Sequence, residues 1–127
     1  MTEIVKWQGR ELRVTGYVND GGGYDWSQLS FLVDDTTGDM FFVDEAGCSC
    51  NSPLETGWSS DNNELIGQDP QPIHDLYEFA ARYRAEFRKN ESRYGGYSKS
   101  DIADLNKEIS RLRRFQRNFQ AKEQNGE

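Results

Sequence analysis

The sequence predicts an α+β fold, with an N-terminal antiparallel sheet of three or four strands followed by a C-terminal antiparallel helical hairpin. The first half holds short apolar, aromatic and β-branched runs between Gly- and Asp-containing turns, which is typical of strands. The second half repeats apolar residues at intervals of three and four, which is typical of helices with one buried face. We therefore divide the 127 residues, which suit one domain, into a sheet part (1–51), a long loop (52–71), a helical hairpin (72–122) and a disordered tail (123–127).

The strand signals are arranged as two hairpins. The first spans residues 4–18 and turns at Gln8-Gly9, and the second spans residues 29–43 and turns at residues 35–38. In the second turn Asp stands first and Gly fourth, which suits a tight loop with a glycine bulge. The apolar residues of 12–18 alternate with polar ones, which predicts that they share one face of a strand.

The helical signals begin at residues 69–72, because proline is tolerated in the first turn of a helix. An apolar stripe over residues 73–87, which includes Tyr77, predicts the buried face of the first helix. Ser98 and Asp101 stand at capping-box spacing and predict the start of a second helix with its own apolar seam. We expect the two helices to pair within one chain, which favours a monomer. Pairing between chains would instead give a helix-mediated dimer.

Cys48 and Cys50 form a motif with several chemical meanings. In an extended backbone both thiols lie on one face, where two small apolar side chains can fill a core. The alternatives are half of a metal site or a redox pair. Zinc requires four ligands, and outside these thiols the chain offers only His74 and carboxylates. Two cysteines this close cannot join distant elements, so we expect a reducing, cytoplasmic location.

Charge is distributed unevenly along the chain. The net charge is −7, and the acidic excess lies in the first 70 residues, whereas the remainder is basic. We expect the carboxylates of the second hairpin, together with Trp58 of the long loop, to bind a protein partner, unless they merely form a solvated edge. These carboxylates are Asp34, Asp35, Asp39, Asp44 and Glu45.

The basic residues of the second helix have two interpretations. Arg111, Arg113, Arg114 and Arg117 resemble a nucleic-acid patch. An antiparallel hairpin would instead place them beside the acidic start of the first helix, which carries Asp75 and Glu78. We prefer internal pairing and expect no nucleic-acid partner, because a net charge of −7 opposes binding to polyanions.

The sequence offers few groups for catalysis. With one histidine, His74, it excludes two-histidine metal and hydrolase arrangements. The glycines at 21–23 lack the Lys-Ser/Thr of a phosphate-binding loop, and the acidic turn does not have the spacing of a calcium loop. We expect no catalytic residues and no cofactor. No apolar run approaches the length of a membrane span, and the first residues do not open a signal peptide, so we expect no membrane association.

The motif Gly47-Cys48-Ser49-Cys50-Asn51-Ser52-Pro53, after a Tyr24-Asp25-Trp26-Ser27 strand start and an acidic hairpin, resembles a group of small uncharacterised proteins encoded by actinobacterial phages. The resemblance covers about the middle third of the chain. It implies a phage origin and a location in the host cytoplasm, but no activity. We therefore expect a small acidic non-enzymatic protein that acts on a host or phage protein. The alternative is a thiol-dependent metal-binding or redox protein that uses the two cysteines.

Overall fold

An antiparallel sheet comes first along the chain and two helices follow it, so the expected α+β class is confirmed. The computed structural model describes residues 3–19, 25–48, 52–57, 63–89 and 97–124. The strands are β1 (Ile4–Trp7), β2 (Arg10–Asn19), β3 (Asp25–Val33), β4 (Met40–Cys48) and β5 (Gln71–Pro72), and they lie in this order across the sheet. The helices are α1 (Leu76–Lys89) and α2 (Ile102–Gln124), with a 3₁₀ turn at Lys99–Asp101.

The sheet has one strand more than expected, and the extra strand corrects a helix prediction. Residues 71 and 72, interpreted as a helix start, form β5 at the edge of the sheet, where Pro72 pairs with Phe41. Proline has no N–H to donate to a neighbouring strand, so within sheets it is confined to edge positions such as this one. Helix α1 begins only at Leu76. The carboxylate of Asp75 accepts a hydrogen bond from the backbone N–H of Glu78 at 3.0 Å and so caps the helix.

The two hairpin turns are present, and the second begins one residue earlier than expected. Gln8 and Gly9 both have positive φ, 49° and 77°, as a two-residue turn between twisted strands requires. In the second turn the backbone N–H of Gly38 donates to the carbonyl of Asp34 at 2.8 Å. The Asp34 carboxylate also accepts the N–H of Thr36 at 2.9 Å. Asp34, rather than Asp35, is therefore the turn-forming aspartate.

A β-bulge in β2 corrects the prediction of one apolar face. The register of β2 against β3 shifts between Val14 and Gly16. Because side chains alternate with period two, the extra residue moves all later side chains to the opposite face. Leu12 and Val14 pack on one side of the sheet and Val18 on the other. Strand β2 therefore contributes to two cores.

The sheet is covered on both faces. One core lies between the sheet and the helices and contains Leu29, Phe31 and Val33 of β3 with the buried residues of α1 and α2. The other core lies on the opposite face and is formed by Val5, Leu12, Leu32, Phe41, Val43 and Leu54. Residues 52–57 and 63–70 of the long loop lie over this second core: Leu54 is buried and Leu65 packs against it. The backbone of Lys6 in β1 pairs with that of Glu64 in the same loop as an isolated parallel β-bridge.

The helices use most of the apolar positions that the spacing indicates. In α2 the buried apolar residues are Leu105, Ile109 and Leu112. In α1 Phe79 is buried, whereas Tyr77 is 79% exposed, so the assignment of Tyr77 to the buried stripe was wrong. The start of the second helix is as expected, because the Asp101 carboxylate accepts the N–H of Ser98 at 3.0 Å. Within the described ranges, neither helix is long and apolar enough to span a membrane.

Candidate functional site

A cleft of about 760 Å³ lies between β2 and the C-terminal half of α2, and we call it the β2–α2 cleft. Its strand side runs from Arg13 to Tyr17, and its helix side runs from Arg111 to Lys122. Glu3 and Asp35 complete the lining. The cleft is partly open to solvent, so a ligand can enter it from the surface.

Two aromatic side chains hold the C-terminal half of α2 on the sheet. A Cβ atom on Gly38 would lie 2.6 Å from the ring of Phe119, so only glycine lets the helix approach this turn. Gly38 also has a φ of 83°, which favours glycine independently. The guanidinium of Arg13 lies 5.9 Å from the centre of the Phe115 ring, within range of a cation–π contact. These contacts set the distance between the two walls of the cleft.

Glu108, a buried glutamate of α2, contacts two residues that line the cleft, Gly16 and Arg111. A side chain on Gly16 would overlap the Glu108 carboxylate, so the glycine leaves a notch in β2 that the carboxylate fills. Arg111 donates from Nη1 to both Glu108 oxygens, at 3.3 and 3.2 Å. The same Nη1 donates to the carbonyl of Thr15 at 3.2 Å. The bulge in β2 and one turn of α2 thus position the Arg111 guanidinium in the cleft.

The lining of the cleft is basic although the chain is acidic. It contains four cations against two carboxylates, Glu3 and Asp35, and so carries +2, whereas the whole chain carries −7. Arg13 makes a bidentate pair with Asp35, at 2.8 and 2.9 Å. Among the residues that the structure describes, Arg114 and Lys122 have no ion-pair partner within 4.0 Å. Their charges are available to a ligand.

Burial and charge shift the pKa values of the carboxylates at the cleft in opposite directions. Burial raises the pKa of Glu108, and the cation of Arg111 opposes this effect only in part. The hydrogen bonds from Arg13 lower the pKa of Asp35, and Lys122 lowers it further. Asp35 therefore remains ionised at neutral pH and keeps Arg13 in place.

The acidic partner-binding candidates do not form one free surface. Three of them lie at the β3–β4 turn and bind arginines of β2: Asp34 and Asp39 both accept from Arg10, at 3.0 and 2.9 Å, and Asp35 accepts from Arg13. The Arg10 contacts lower the pKa of Asp39. These carboxylates therefore hold the turn against β2.

The other two carboxylates, Asp44 and Glu45, are neighbours in the middle of β4 and lie on opposite faces of the sheet. Asp44 accepts hydrogen bonds from the hydroxyls of Tyr83 and Tyr97, at 3.0 and 3.1 Å, and so joins the sheet to the helical part. Burial, and secondly the charge of Asp44, raises the pKa of the Tyr83 hydroxyl. Glu45 is buried, accepts the backbone N–H of Leu54 at 2.8 Å, and has a pKa raised by burial.

The remaining candidates are placed only in part. The backbone of Cys48 ends β4 opposite Asp25, but its side chain, Cys50 and Trp58 lie outside the described residues. Across the part of the chain that the structure describes, no three side chains of Asp, Glu, His or Cys are grouped so that they could hold a metal ion. His74 lies in a second cleft of about 500 Å³, near Trp7.

The expected pairing of basic α2 residues with the start of α1 is wrong for Arg111, which binds Glu108 and the carbonyl of Thr15 instead. Within the described ranges no ion pair joins α1 to α2. Arg84 of α1 donates to the side-chain oxygen of Asn106 at 2.7 Å, a neutral acceptor. The β2–α2 cleft itself was not found from the sequence. The available signal was the recurrence of Arg111, Phe115 and Phe119 four residues apart.

Comparisons with known proteins return no match. No family model, no curated protein and no solved structure matches the chain.

Proposed function

We propose that the chain is a small non-enzymatic interaction protein that acts on a protein partner, and that the β2–α2 cleft is the surface it uses. The observation that carries the proposal is that two cations of the cleft, Arg114 and Lys122, have no ion-pair partner among the described residues and lie beside an aromatic wall. Exposed charges beside apolar rings are typical of protein-binding surfaces, where the rings provide affinity and the charges provide orientation.

The charge distribution supports this cleft over the acidic hairpin as the binding surface. Asp34, Asp35 and Asp39 already bind arginines of β2, so a basic partner would have to compete with those pairs. Arg114 and Lys122 form no ion pair within 4.0 Å in the described part of the chain, although the charge of Lys122 lowers the pKa of Asp35. An acidic partner can therefore contact both cations without breaking an ion pair.

Two further parts of the proposal concern architecture and origin. We propose that α1 and α2 form an antiparallel hairpin. This arrangement is supported by the bond from Arg84 to Asn106 and by the stacking of Phe87 on Tyr97, with ring centres 4.9 Å apart. We also propose that the protein is phage-encoded and acts in the host cytoplasm. That part is supported by the motif at residues 47–53 and its resemblance to proteins of actinobacterial phages.

Site-specific photocrosslinking tests the choice of surface. A photoreactive amino acid is placed at Asn118 in the cleft, at Thr36 on the acidic turn, and at Ala81 on the exposed side of α1. After irradiation in host cells, we expect one discrete crosslinked species from position 118 and none from position 81. The same species from position 36 alone would refute the cleft and restore the acidic hairpin as the binding surface.

A further inference from the structure

The length of the β2–α2 cleft limits what it can hold. Along α2 the lining extends from Arg111 to Lys122, a span of about 16 Å at the helical rise of about 1.5 Å per residue. An extended peptide advances roughly 3.3 Å per residue, so the cleft accommodates about five residues. The opposite wall, from Arg13 to Tyr17, is a strand of comparable length.

The charges of the cleft follow one line along the helix. Arg114, Asn118 and Lys122 are four residues apart and therefore lie on the same side of α2. Arg111 adds a guanidinium that Glu108 and the Thr15 carbonyl hold in one orientation. Two or three carboxylates spaced along an extended peptide would meet these cations in turn.

The aromatic residues provide a place for an apolar side chain. Phe115 and Phe119 are half-buried, with ring centres 6.1 Å apart, and both line the cleft. An apolar group packed against these two rings would exclude water from the neighbouring ion pairs, as central anchors do in protein interfaces.

A short acidic peptide fits this cleft better than a nucleic acid does. The lining carries +2, so the rest of the chain carries −9 and repels a long polyanion beyond the cleft. Nucleic-acid affinity depends on neutralising many phosphates, whereas among the described residues that line the cleft only Arg114 and Lys122 have no ion-pair partner within 4.0 Å. One face of the Phe115 ring is already covered by Arg13, which reduces the area on which a base could stack.

We infer that the β2–α2 cleft binds an extended acidic segment of the partner protein, about five residues long, with one bulky apolar side chain between its carboxylates. This inference rests on the proposed function. It adds the chemical class of the partner.

Fluorescence anisotropy with synthetic peptides tests the inference. The probe is a labelled pentapeptide, Asp-Glu-Phe-Asp-Glu, compared with Asn-Gln-Phe-Asn-Gln and Asp-Glu-Gly-Asp-Glu. We expect the first to bind and the other two to bind about tenfold more weakly, because each lacks one of the two kinds of contact. Raising the salt concentration should weaken binding of the first peptide.

Matched variants of α2 test whether the acidic peptide binds at the β2–α2 cleft. Arg114→Glu and Lys122→Glu should each weaken binding by about tenfold, the effect of losing and reversing a contact between opposite charges. Arg113→Glu is the control, because Arg113 is an exposed neighbour on the same helix that does not line the cleft. All three positions are exposed, so melting curves should match that of the wild type. Equal weakening by all three variants would show a general charge effect and overturn the inference.

A labelled single-stranded oligonucleotide of matched charge separates the two classes of partner. Binding of the oligonucleotide that Arg114→Glu abolishes, without binding of the acidic peptide, would overturn the inference in favour of nucleic acid. If none of the peptides binds while Asn118 still yields a specific crosslink, the chemical class is wrong and the proposed surface stands. If both experiments fail, the proposed function fails as well.

Discussion

Gly16→Ala tests how α2 is seated on β2. A Cβ at this position would lie 2.5 Å from Cδ and 2.8 Å from Oε2 of Glu108, and it would overlap Oε1. The carboxylate would have to leave the notch, and its hydrogen bonds to Arg111 would be lost. Because Gly16 does not have a positive φ, alanine is otherwise acceptable to the backbone at this position.

The expected effect combines one gain and two losses. Overpacking a buried position costs about 1 to 3 kcal/mol. The displaced carboxylate loses charged hydrogen bonds of roughly 1.5 kcal/mol, a low value because Arg111 is partly exposed. Replacing glycine in a strand returns about 0.5 to 1 kcal/mol. We expect the free energy of unfolding to fall by about 1.5 to 4 kcal/mol, a large share of the roughly 5 to 15 kcal/mol of a typical domain.

A double-mutant cycle measured by urea unfolding separates the notch from a general effect of alanine. In a Glu108→Ala background the new methyl group enters vacated space, so Gly16→Ala should be neutral or stabilise by up to about 1 kcal/mol. The coupling energy between the two positions should therefore be about 3 kcal/mol. The same loss in both backgrounds would refute the seating of Glu108 beneath β2.

Three further outcomes follow from buried groups. Asp44→Ala should lower the free energy of unfolding by about 2 kcal/mol, because two tyrosine hydroxyls lose their acceptor, and Asp44→Asn by less. Leu105→Ala should cost about 2 to 5 kcal/mol without changing the mass by light scattering, whereas a dimer that it dissociates would contradict pairing within one chain. Because burial raises the pKa of Glu108 in the folded state, the contribution of this side chain to the free energy of unfolding is complete below pH 4.5, the ordinary value, and is lost as the pH rises through the folded pKa. The melting temperature of the wild type should therefore fall over this range, and that of Glu108→Gln should not show this fall. Identical pH profiles of the melting temperature for the two proteins above pH 4.5 would contradict this account.

Local patterns were sufficient for the fold class, the two hairpin turns and the seam of α2. The Gln8-Gly9 turn depends on residues that tolerate positive φ, and Leu105, Ile109 and Leu112 follow from helical spacing. Each feature is determined by residues within a few positions of one another, so the sequence alone can indicate it.

Features that depend on distant residues were missed. The charge of the acidic hairpin is visible in the sequence, but its partners Arg10 and Arg13 precede it by more than twenty residues. The bulge in β2 had one signal, Gly16, because glycine inside a strand often marks such a site. Strand β5 was mistaken for a helix start because proline suits both an edge strand and a first helical turn.

The β2–α2 cleft could not be predicted for the same reason. It forms where α2 crosses β2, and its depth depends on the contact of Phe119 with Gly38, 81 positions earlier in the sequence. Its basic character was visible only as the cluster Arg111 to Arg117, which was interpreted as internal pairing with α1. The contact of Arg111 with Thr15 depends on the bulge that places this carbonyl.

The most direct measurement of the central claim is an NMR titration of the ¹⁵N-labelled protein with the Asp-Glu-Phe-Asp-Glu peptide. If the β2–α2 cleft binds an acidic segment, amide shifts should concentrate in residues 13–17 and 111–122, and the Nε–H signals of Arg111 and Arg114 should move with them. Residues 76–89 of α1 should remain unchanged. Shifts confined to residues 34–39, or no shifts at saturating peptide, would contradict the account.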